Sequence, residues 1–310
     1  MVTKPGSAFV EWPSTVEDKT DFDSSLKNTG YASEDVPEHD NFNYLLNTNG
    51  LWLAWLEDTI DAMYADRTWT IADVADWNDM CNEILALASA NDNTLNGDWI
   101  INITTDTLTL NSVAPADKPL VISGFSGSGS ITINGNTAGA GQTTISSSIG
   151  KAYMTFENIS VAGGIAINDI IISESTIGSL STYLIEFSDV INGILLSNVD
   201  LIATDSDTVC LFANNVKYIY YKGGELTSAN TSILRGAIVA TSGSSVYLGS
   251  VTAGSGGIDG NGAYVATGST IHAADTTTLT PGGGFSEFEI SGGIVNHETA
   301  GTWALNVNSF

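Results

Sequence analysis

Basic residues are scarce in this chain. Its 310 residues include 9 lysines and arginines against 35 aspartates and glutamates, which gives a formal net charge of −26 at pH 7. An acidic surface of this kind repels the phosphates of nucleic acids and the headgroups of anionic lipids. The sequence therefore predicts no nucleic-acid partner and no membrane insertion, and the simplest interpretation of its charge is solubility.

The sequence has only two cysteines and no long apolar run. No stretch of 18 apolar residues is present, so the sequence predicts no transmembrane helix. Residues 1–13 contain no apolar segment, which predicts the absence of a signal peptide and synthesis in a reducing cytoplasm. The two cysteines, Cys81 and Cys210, stand among apolar neighbours, so we expect them to be buried free thiols.

Turn residues and β-branched residues dominate the sequence from Leu95 onward. Between residues 154 and 221 an Asn or Asp directly precedes Ile or Val five times. The five dipeptides are Asn158-Ile159, Asp169-Ile170, Asp189-Val190, Asn198-Val199 and Asn215-Val216. A further strand-like run follows each dipeptide, and their spacings of 11, 20, 9 and 17 residues indicate a repeat of roughly 20 residues.

A repeat of this length, without helices between its strands, predicts an all-β fold and specifically a parallel β-helix. In such a fold the short strands of successive coils stack in register about 4.8 Å apart. An Asn at a corner of each coil can adopt the left-handed backbone conformation and can hydrogen-bond to the equivalent residue of the next coil.

One amphipathic helix is predicted just before the first strands. Thr70 is its expected N-cap, with Asp73 in the capping-box position. Apolar residues then recur at helical spacing at Ile71, Val74, Trp77, Cys81, Ile84 and Ala88. Because the first coil of a β-helix has an open apolar end, we expect this helix to cover it.

A second helical pattern lies closer to the N-terminus, in the stretch VPEHDNFNYLLNTNGLWLAWLEDTID. Its apolar residues follow a heptad, with Leu46, Leu53 and Ile60 at positions a and with Phe42, Leu56 and Met63 at positions d. Trp52 and Trp55 fall outside this seam, so a single helix would leave both the seam and two indoles uncovered. We expect self-association or docking on a partner, and packing against the rest of the same chain is the alternative.

These patterns divide the chain into five segments. An extended arm (1–35) precedes a helical anchor or trimerisation segment (36–66). The helix that caps the β-helix is expected in 67–93, and the parallel β-helix itself in 94–280. The remaining residues, 281–310, are expected to form a C-terminal β cap or an association module.

Spaced residues in the N-terminal third form a pattern that comprises Pro37, Phe42-Asn43, Leu45-Leu46, Gly50, Trp52 and Trp55-Leu56. This pattern resembles the virion-anchoring region of bacteriophage tail fibres and tailspikes. The helix and the strands that follow are similar to pectate-lyase-like tailspikes, in which a helix caps a right-handed parallel β-helix. The residues expected to anchor or oligomerise the protein are Pro37, Phe42, Asn43, Leu46, Trp52, Leu53, Trp55, Leu56 and Ile60.

The resemblance implies a homotrimer whose N-terminus binds other virion proteins of the tail or portal region. It implies a location in the virion, with the β-helix displayed toward the host surface for adhesion or receptor binding. Two alternatives stay open: a polysaccharide-degrading tailspike, either a lyase or a glycoside hydrolase, and a passive decorating or adaptor protein of the virion. No cofactor is expected.

Carboxylates that could degrade a polysaccharide are few. Asp205 and Asp207 would share one strand face if that stretch is extended, and Glu186 and Asp189 are the next candidates. One alternative for Asp205 and Asp207 is a solvated acidic turn, and another is a Ca²⁺ site. The three histidines lack metal-ligand spacing, so the sequence predicts no metal site. It contains no convincing catalytic constellation, which favours a non-enzymatic protein without deciding the question.

The densest aromatic group in the predicted β-helix consists of Tyr218, Tyr220 and Tyr221. In an extended strand Tyr218 and Tyr220 share one face, and Tyr221 points the other way. With Lys217 and Lys222 they form the only locally basic aromatic spot in the sequence. Because aromatic rings stack on sugars, the three tyrosines are candidates for a contact with a host-surface glycan. An ordinary half-buried strand is the alternative.

Overall fold

The chain divides into two units, Met1–Ala65 and Asp66–Phe310, and nearly all of the residues described by the computed structural model belong to the second unit. The described residues are 50, 51, 53, 66–89, 93–111, 116–137, 141–147, 153–174, 183–230, 236–266, 268–274, 277–297 and 305–307. Within the second unit, the described residues form twenty strands and one helix.

The first half of these elements comprises β1 (Arg67–Ile71), α1 (Val74–Ser89), β2 (Trp99–Ile103), β3 (Thr107–Leu110), β4 (Leu120–Ser123), β5 (Ser126–Gly127), β6 (Ile131–Asn134), β7 (Thr143–Ser147), β8 (Met154–Val161), β9 (Ile165–Glu174) and β10 (Tyr183–Val190). The second half comprises β11 (Gly193–Ala203), β12 (Val209–Asn214), β13 (Tyr218–Ser228), β14 (Ile238–Thr241), β15 (Ser245–Ile258), β16 (Ala263–Ala266), β17 (Thr270–Ala273), β18 (Phe288–Ser291), β19 (Ile294–His297) and β20 (Leu305–Val307).

The strands form two parallel sheets, and the chain passes through both sheets in each coil. The longer sheet has the order β1-β2-β6-β9-β11-β13-β15-β17-β19, and the shorter has the order β20-β18-β16-β14-β12-β10-β8-β4. Each strand pairs in parallel with a strand one coil later, so Ile131 lies opposite Ile165 and Ile271 lies opposite Val295. The predicted all-β parallel β-helix is therefore confirmed. Its coils are longer than the expected repeat, since these two register steps span 34 and 24 residues.

The core is a stack of apolar side chains from successive coils. Because strands pair in register, residues at one inward position lie directly above each other. One such column is formed by Ile101, Ile133, Ile167, Leu196, Tyr221, Leu248 and Ala273, all fully buried. In the shorter sheet, the rings of Phe156 and Phe187 stack at 5.0 Å between centroids. The buried free thiols predicted at Cys81 and Cys210 are confirmed.

The corners of the coils lie at the five Asn/Asp dipeptides. The first residue of each dipeptide has φ between 53° and 58°, the left-handed conformation that the sequence predicted. Asn198 Nδ2 donates a hydrogen bond to Asp169 Oδ1 at 2.8 Å, one coil earlier. Asn215 Nδ2 donates in the same way to Asp189 Oδ1 at 2.6 Å. The corner asparagines therefore act both as turn residues and as links between coils.

The helix begins later than the sequence predicted. Thr70 lies in β1, which already belongs to the longer sheet, and the N-cap is Asp73. Asp73 Oδ1 accepts hydrogen bonds from the backbone N–H groups of Ala75 and Asp76, which is the usual role of an N-cap carboxylate. The helix lies against β1, β3 and β4. Among the described residues, no helix is long and apolar enough to cross a membrane.

The β-helix also continues beyond residue 280, where the sequence analysis ended it. Pro281 forms a bridge with Ile258 and is followed by a tight turn at Gly283 and Gly284. β18 then pairs with β16, β19 with β17, and β20 with β18. The Pro-Gly-Gly-Gly stretch is therefore a turn within the β-helix, because the strands after it add to both sheets in register.

Candidate functional site

One row of outward side chains runs along the outer face of the longer sheet. Its members pair in register from strand to strand and, in order from β1 to β19, are Thr68, Ile100, Thr132, Ala166, Leu195, Tyr220, Tyr247, His272 and Asn296. The row changes character half-way. Its first four residues carry small or aliphatic side chains, whereas three of the next five carry rings.

The three rings of this row form a continuous ladder. The ring centroids of Tyr220 and Tyr247 lie 4.9 Å apart with an interplanar angle of 42°. Those of Tyr247 and His272 lie 6.4 Å apart and are closer to parallel, at 23°. All three residues are half-buried, so part of each ring remains accessible. We call Tyr220, Tyr247 and His272 the aromatic ladder.

A glycine lies next to the ladder and sets the tilt of its rings. Gly249 pairs with Lys222 and is buried. A Cβ at this position would meet Tyr220 Oη at 3.3 Å and Tyr247 Cε1 at 3.6 Å. The Tyr220 ring therefore leans toward the next strand and lies over the Gly249 backbone. Because Gly249 has no side chain, the rings can approach the sheet and present a broader surface.

Exposed apolar residues extend this surface. Tyr218 is 44% exposed and stands in the adjacent outward row, and Ile294 in the same row is 57% exposed. Leu195, beside the ladder on β11, is 37% exposed. We call the aromatic ladder together with Leu195, Tyr218 and Ile294 the aromatic face. Exposed apolar patches often mark binding sites in soluble proteins, so these residues, which occupy two neighbouring outward rows of one sheet, form a candidate site.

Two lysines flank the aromatic face. Lys217 precedes Tyr218, and Lys222 follows Tyr220 on the same side of β13; both are exposed. In the described part of the chain, neither ammonium group has a hydrogen bond or an ion pair. The acid nearest to them in sequence, Glu225, lies beyond the left-handed corner at residue 223, where its backbone N–H donates to Asp200 Oδ1.

The remaining described basic side chains have partners elsewhere. Arg67 Nη1 forms an ion pair of 2.8 Å with Glu83 Oε1, and Lys118 Nζ donates a hydrogen bond to Asn82 Oδ1. Within the described residues, the aromatic face is therefore the place where unpaired positive charge and exposed rings coincide. This arrangement can hold a ligand by stacking and by charge at the same time.

The same sheet is different near β1. Asn134 Nδ2 donates a hydrogen bond to Asn102 Oδ1, and Asn168 Nδ2 donates to Asn134 Oδ1, both at 3.0 Å. We call these three residues the amide ladder. Their amides bond to one another from coil to coil, so much of their hydrogen-bonding capacity is used within the protein.

The three candidate tyrosines lie on two different faces of β13. Tyr218 and Tyr220 lie on the outer face and Tyr221 points inward, as the alternation predicted. Tyr221 is fully buried, and its Oη donates to the carbonyl of Val199 at 2.5 Å. Burial raises the pKa of Tyr221 well above its usual value. Tyr221 is therefore a core residue, which removes it from the candidate glycan contacts.

Tyr247 and His272 were missed because they lie in separate parts of the sequence. They meet Tyr220 only through the parallel register, which places Tyr247 opposite Tyr220 and His272 opposite Tyr247. The left-handed corners at residues 223 and 250 could have revealed the alignment of β13 with β15. A serine at the second corner hides that relationship in the sequence.

Asp205 and Asp207 lie in a turn and not on one strand face. Asp205 is only 6% exposed, and its Oδ1 accepts a hydrogen bond from the Asp207 backbone N–H at 2.8 Å. The buried Glu174, which sequence reasoning missed, accepts hydrogen bonds from the Asp205 backbone N–H at 3.0 Å and from Thr208 Oγ1 at 3.2 Å. Burial raises the pKa of Glu174. The cluster holds the turn in place, and the described residues contain no group of three or more metal-ligating side chains.

Glu186 and Asp189 do not converge either. Asp189 is a corner residue bonded to Asn215, whereas Glu186 lies on the outer face of the shorter sheet and accepts a hydrogen bond from Ser188 Oγ at 3.3 Å. Burial raises the pKa of Glu186, and the nearby carboxylate of Glu157 raises it further. Two neighbouring carboxyl groups, one with a raised pKa, are the kind of pair that general acid–base catalysis uses.

Most of the predicted anchoring residues lie outside the described part of the chain. They are Pro37, Phe42, Asn43, Leu46, Trp52, Trp55, Leu56 and Ile60. The exception is Leu53, which is helical and 65% exposed. Its exposure is compatible with a seam position, and the anchoring function stays a prediction.

No protein-family model matches the chain, and no curated protein and no solved structure matches it either. What is established comes from the chain itself: an all-β parallel β-helix of two parallel sheets. Within the described residues, the aromatic face is the surface that combines accessible rings with two exposed lysines, so it is the candidate binding surface.

Proposed function

We propose that the protein is a structural virion appendage of the tail fibre or tailspike kind. Its N-terminal region attaches it to the particle, and its β-helix is displayed toward the host surface for adhesion. The observation that supports this proposal best is the aromatic face, an exposed and partly basic surface on an otherwise acidic β-helix. The resemblance of residues 37–56 to phage anchoring regions supplies the virion context.

The aromatic face lies toward one end of the strand order and is held on a paired sheet. The chain enters the β-helix at β1, whereas the aromatic face lies over β11 to β19, toward the other end of the strand order. Side chains on a paired sheet are held in fixed positions, so little conformational entropy is lost when they bind a ligand. An adhesin benefits from a binding surface that is preorganised in this way.

We assign attachment to segment 36–66, which the sequence predicts to be helical. Its heptad seam and its two indoles, Trp52 and Trp55, favour a homotrimer that docks on other virion proteins of the tail or portal region. The predicted bounds of the arm, 1–35, and of the anchor segment, 36–66, stay as the sequence analysis gave them.

Two leucines of this segment provide a matched test of the trimer. Leu53 occupies a seam position and Leu51 does not, although both are exposed in the described chain. Leu53→Asp should dissociate the full-length trimer in sedimentation equilibrium, whereas Leu51→Asp should leave it intact. A wild-type chain that is monomeric at micromolar concentration would defeat the trimeric appendage.

Adhesion has a separate test. Labelled full-length protein should bind surface polysaccharides extracted from bacteria without shortening them, as followed by size-exclusion chromatography. Glu186 beside Glu157 supports a second candidate, a polysaccharide-degrading enzyme on the same scaffold. That candidate gains if the polysaccharide is shortened and if Glu186→Gln abolishes the shortening. Absence of any glycan binding would favour a passive decorating protein.

A further inference from the structure

We propose that the aromatic face binds an acidic glycan, a saccharide chain that carries carboxylate groups. Its sugar rings lie against Tyr218 and the aromatic ladder, and its carboxylates pair with Lys222 and Lys217. This inference rests on the proposed adhesive function and deepens it, because it names the class of ligand and the residues that select it.

The shape of the face favours a linear polymer. Parallel strands in register repeat a side-chain position about every 4.8 Å, and the first two rings of the ladder are 4.9 Å apart. Leu195, Tyr220, Tyr247 and His272 therefore form a straight track across four successive strands. A sugar ring has one apolar face of C–H groups, so a chain of sugars can follow this track with one ring against each side chain in turn.

The tilt of the rings makes the track usable. Rings stacked squarely on each other would hide their faces within the ladder and leave only their edges to a ligand. Tyr220 and Tyr247 are instead inclined by 42°, and the edges of both lie over Gly249. Both rings are half-buried, so part of each ring remains accessible to a ligand.

Charge selects an acidic ligand. The chain has a net charge of −26, so an anion that approaches most of its surface is repelled. Lys222 lies two residues from Tyr220 on the same strand face, and Lys217 directly precedes Tyr218 at the start of β13; both side chains are exposed. A carboxylate there gains a charge-assisted hydrogen bond, whereas a neutral sugar leaves both ammonium groups without a partner. Such complementarity contributes mainly to specificity.

The experiment compares each acidic glycan with its own neutral form. Full-length protein is applied to an array of uronate-bearing and sialate-bearing glycans, each printed beside its carboxyl-reduced counterpart. We expect at least one acidic glycan to bind about tenfold more tightly than its reduced counterpart, which corresponds to one charge-assisted hydrogen bond. Binding of that glycan should weaken as salt is added, because the contact is exposed.

Two variants and two matched controls locate the site. Lys222→Gln should remove the preference for the acidic form, and Tyr247→Ala should weaken binding of both forms about tenfold through the lost stacking. Lys118→Gln and Tyr264→Ala change the same residue types away from the aromatic face and should bind like the wild type. If Tyr247→Ala unfolds, Tyr218→Ala replaces it, because that side chain is 44% exposed.

The possible failures are distinguishable. Equal binding of acidic and reduced glycans, or a Lys222→Gln variant with unchanged preference, overturns the acidic class while adhesion stands. Unchanged binding by the tyrosine variants overturns the location. If no glycan on the array binds, adhesion fails together with this inference. A changed mass of Tyr247→Ala in sedimentation would show that a second copy of the chain covers the face, which also overturns the inference.

Discussion

Replacing Asn198 by alanine tests whether left-handed corners hold the coils of the β-helix together. Asn198 has φ of 54°, and its Nδ2 donates a hydrogen bond of 2.8 Å to Asp169 Oδ1 in the preceding coil. The residue is exposed, so no core packing is lost with its side chain. Any change in stability therefore reports on the backbone conformation and on this hydrogen bond.

The two contributions can be estimated separately. A left-handed conformation costs an alanine about 1 kcal/mol, while glycine adopts it freely. The exposed hydrogen bond to Asp169 contributes about 0.5–1 kcal/mol. Asn198→Ala loses both and should lower the free energy of unfolding by about 1.5–2 kcal/mol, whereas Asn198→Gly loses only the bond. At about 2–4 °C per kcal/mol for a unit of this size, alanine should lower Tm by about 3–8 °C.

Asn168 provides the opposite control. It lies on strand β9 without positive φ, and its Nδ2 donates to Asn134 Oδ1 at 3.0 Å. Within a strand, glycine is worse than alanine by about 0.5–1 kcal/mol. The order of the two substitutions should therefore reverse between positions 198 and 168.

Urea unfolding followed by circular dichroism gives the midpoints, which are comparable when the slope with denaturant is unchanged. Alanine and glycine of equal stability at position 198 would refute the reasoning, as would the same order at both positions. In either case the corner asparagines would matter only for their side-chain bonds.

Three further outcomes follow from buried groups. Burial raises the pKa of Glu186 above the ordinary glutamate value of 4.5. Between these two pKa values the folded protein binds more protons than the unfolded chain. The free energy of unfolding therefore falls as the pH rises from 4.5 through the raised pKa. Glu186→Gln should be more stable than the wild type in denaturant melts at pH 7, and equal to it well below pH 4.5; lower stability at pH 7 would contradict this. Phe187→Ala, in the core, should lose about 3–5 kcal/mol in urea melts, and Phe212→Ala, half-buried on the outer face, should lose less. Because burial raises the pKa of Cys81 and Cys210 to about 12, neither thiol should react with Ellman's reagent at pH 8 before unfolding, and a rapid reaction of the native protein would show otherwise.

The β-helix was predictable because its corners restrict the residues that can occupy them. Positive φ disfavours most side chains, so five of the seven described non-glycine residues with positive φ are Asn or Asp. Asn158, Asp169, Asp189, Asn198 and Asn215 all have the predicted conformation. The later corners at Ser242 and Ser250 have φ of 54° and 62°, but serine is common in every kind of loop. The repeat therefore fades from the sequence while it continues in the structure.

Only half of the aromatic face was predictable, because the sequence shows the alternation within one strand but not the register between coils. Tyr218 and Tyr220 are close in sequence and share a face by simple alternation. Tyr247 and His272 join them through a register that depends on the length of each coil, and the coils vary in length. The turn at Asp205 and Asp207 was one of the alternatives that the sequence left open. It forms because the Asp205 side chain bonds to a local backbone N–H group, which competes with an extended strand.

The contrast between the two ladders argues that the aromatic face serves binding and not folding. The amide ladder and the aromatic ladder occupy outward positions of one sheet, so the fold demands the same thing of both. Fold stability requires apolar side chains only on the inward side, where the column from Ile101 to Ala273 already supplies them. Exposed rings at Tyr218, Tyr220 and Tyr247 add a risk of aggregation that asparagines at the same depth avoid. A chain that places rings near two exposed lysines on one part of the sheet, and a ladder of asparagines on another, has concentrated its binding capacity in one part of the sheet.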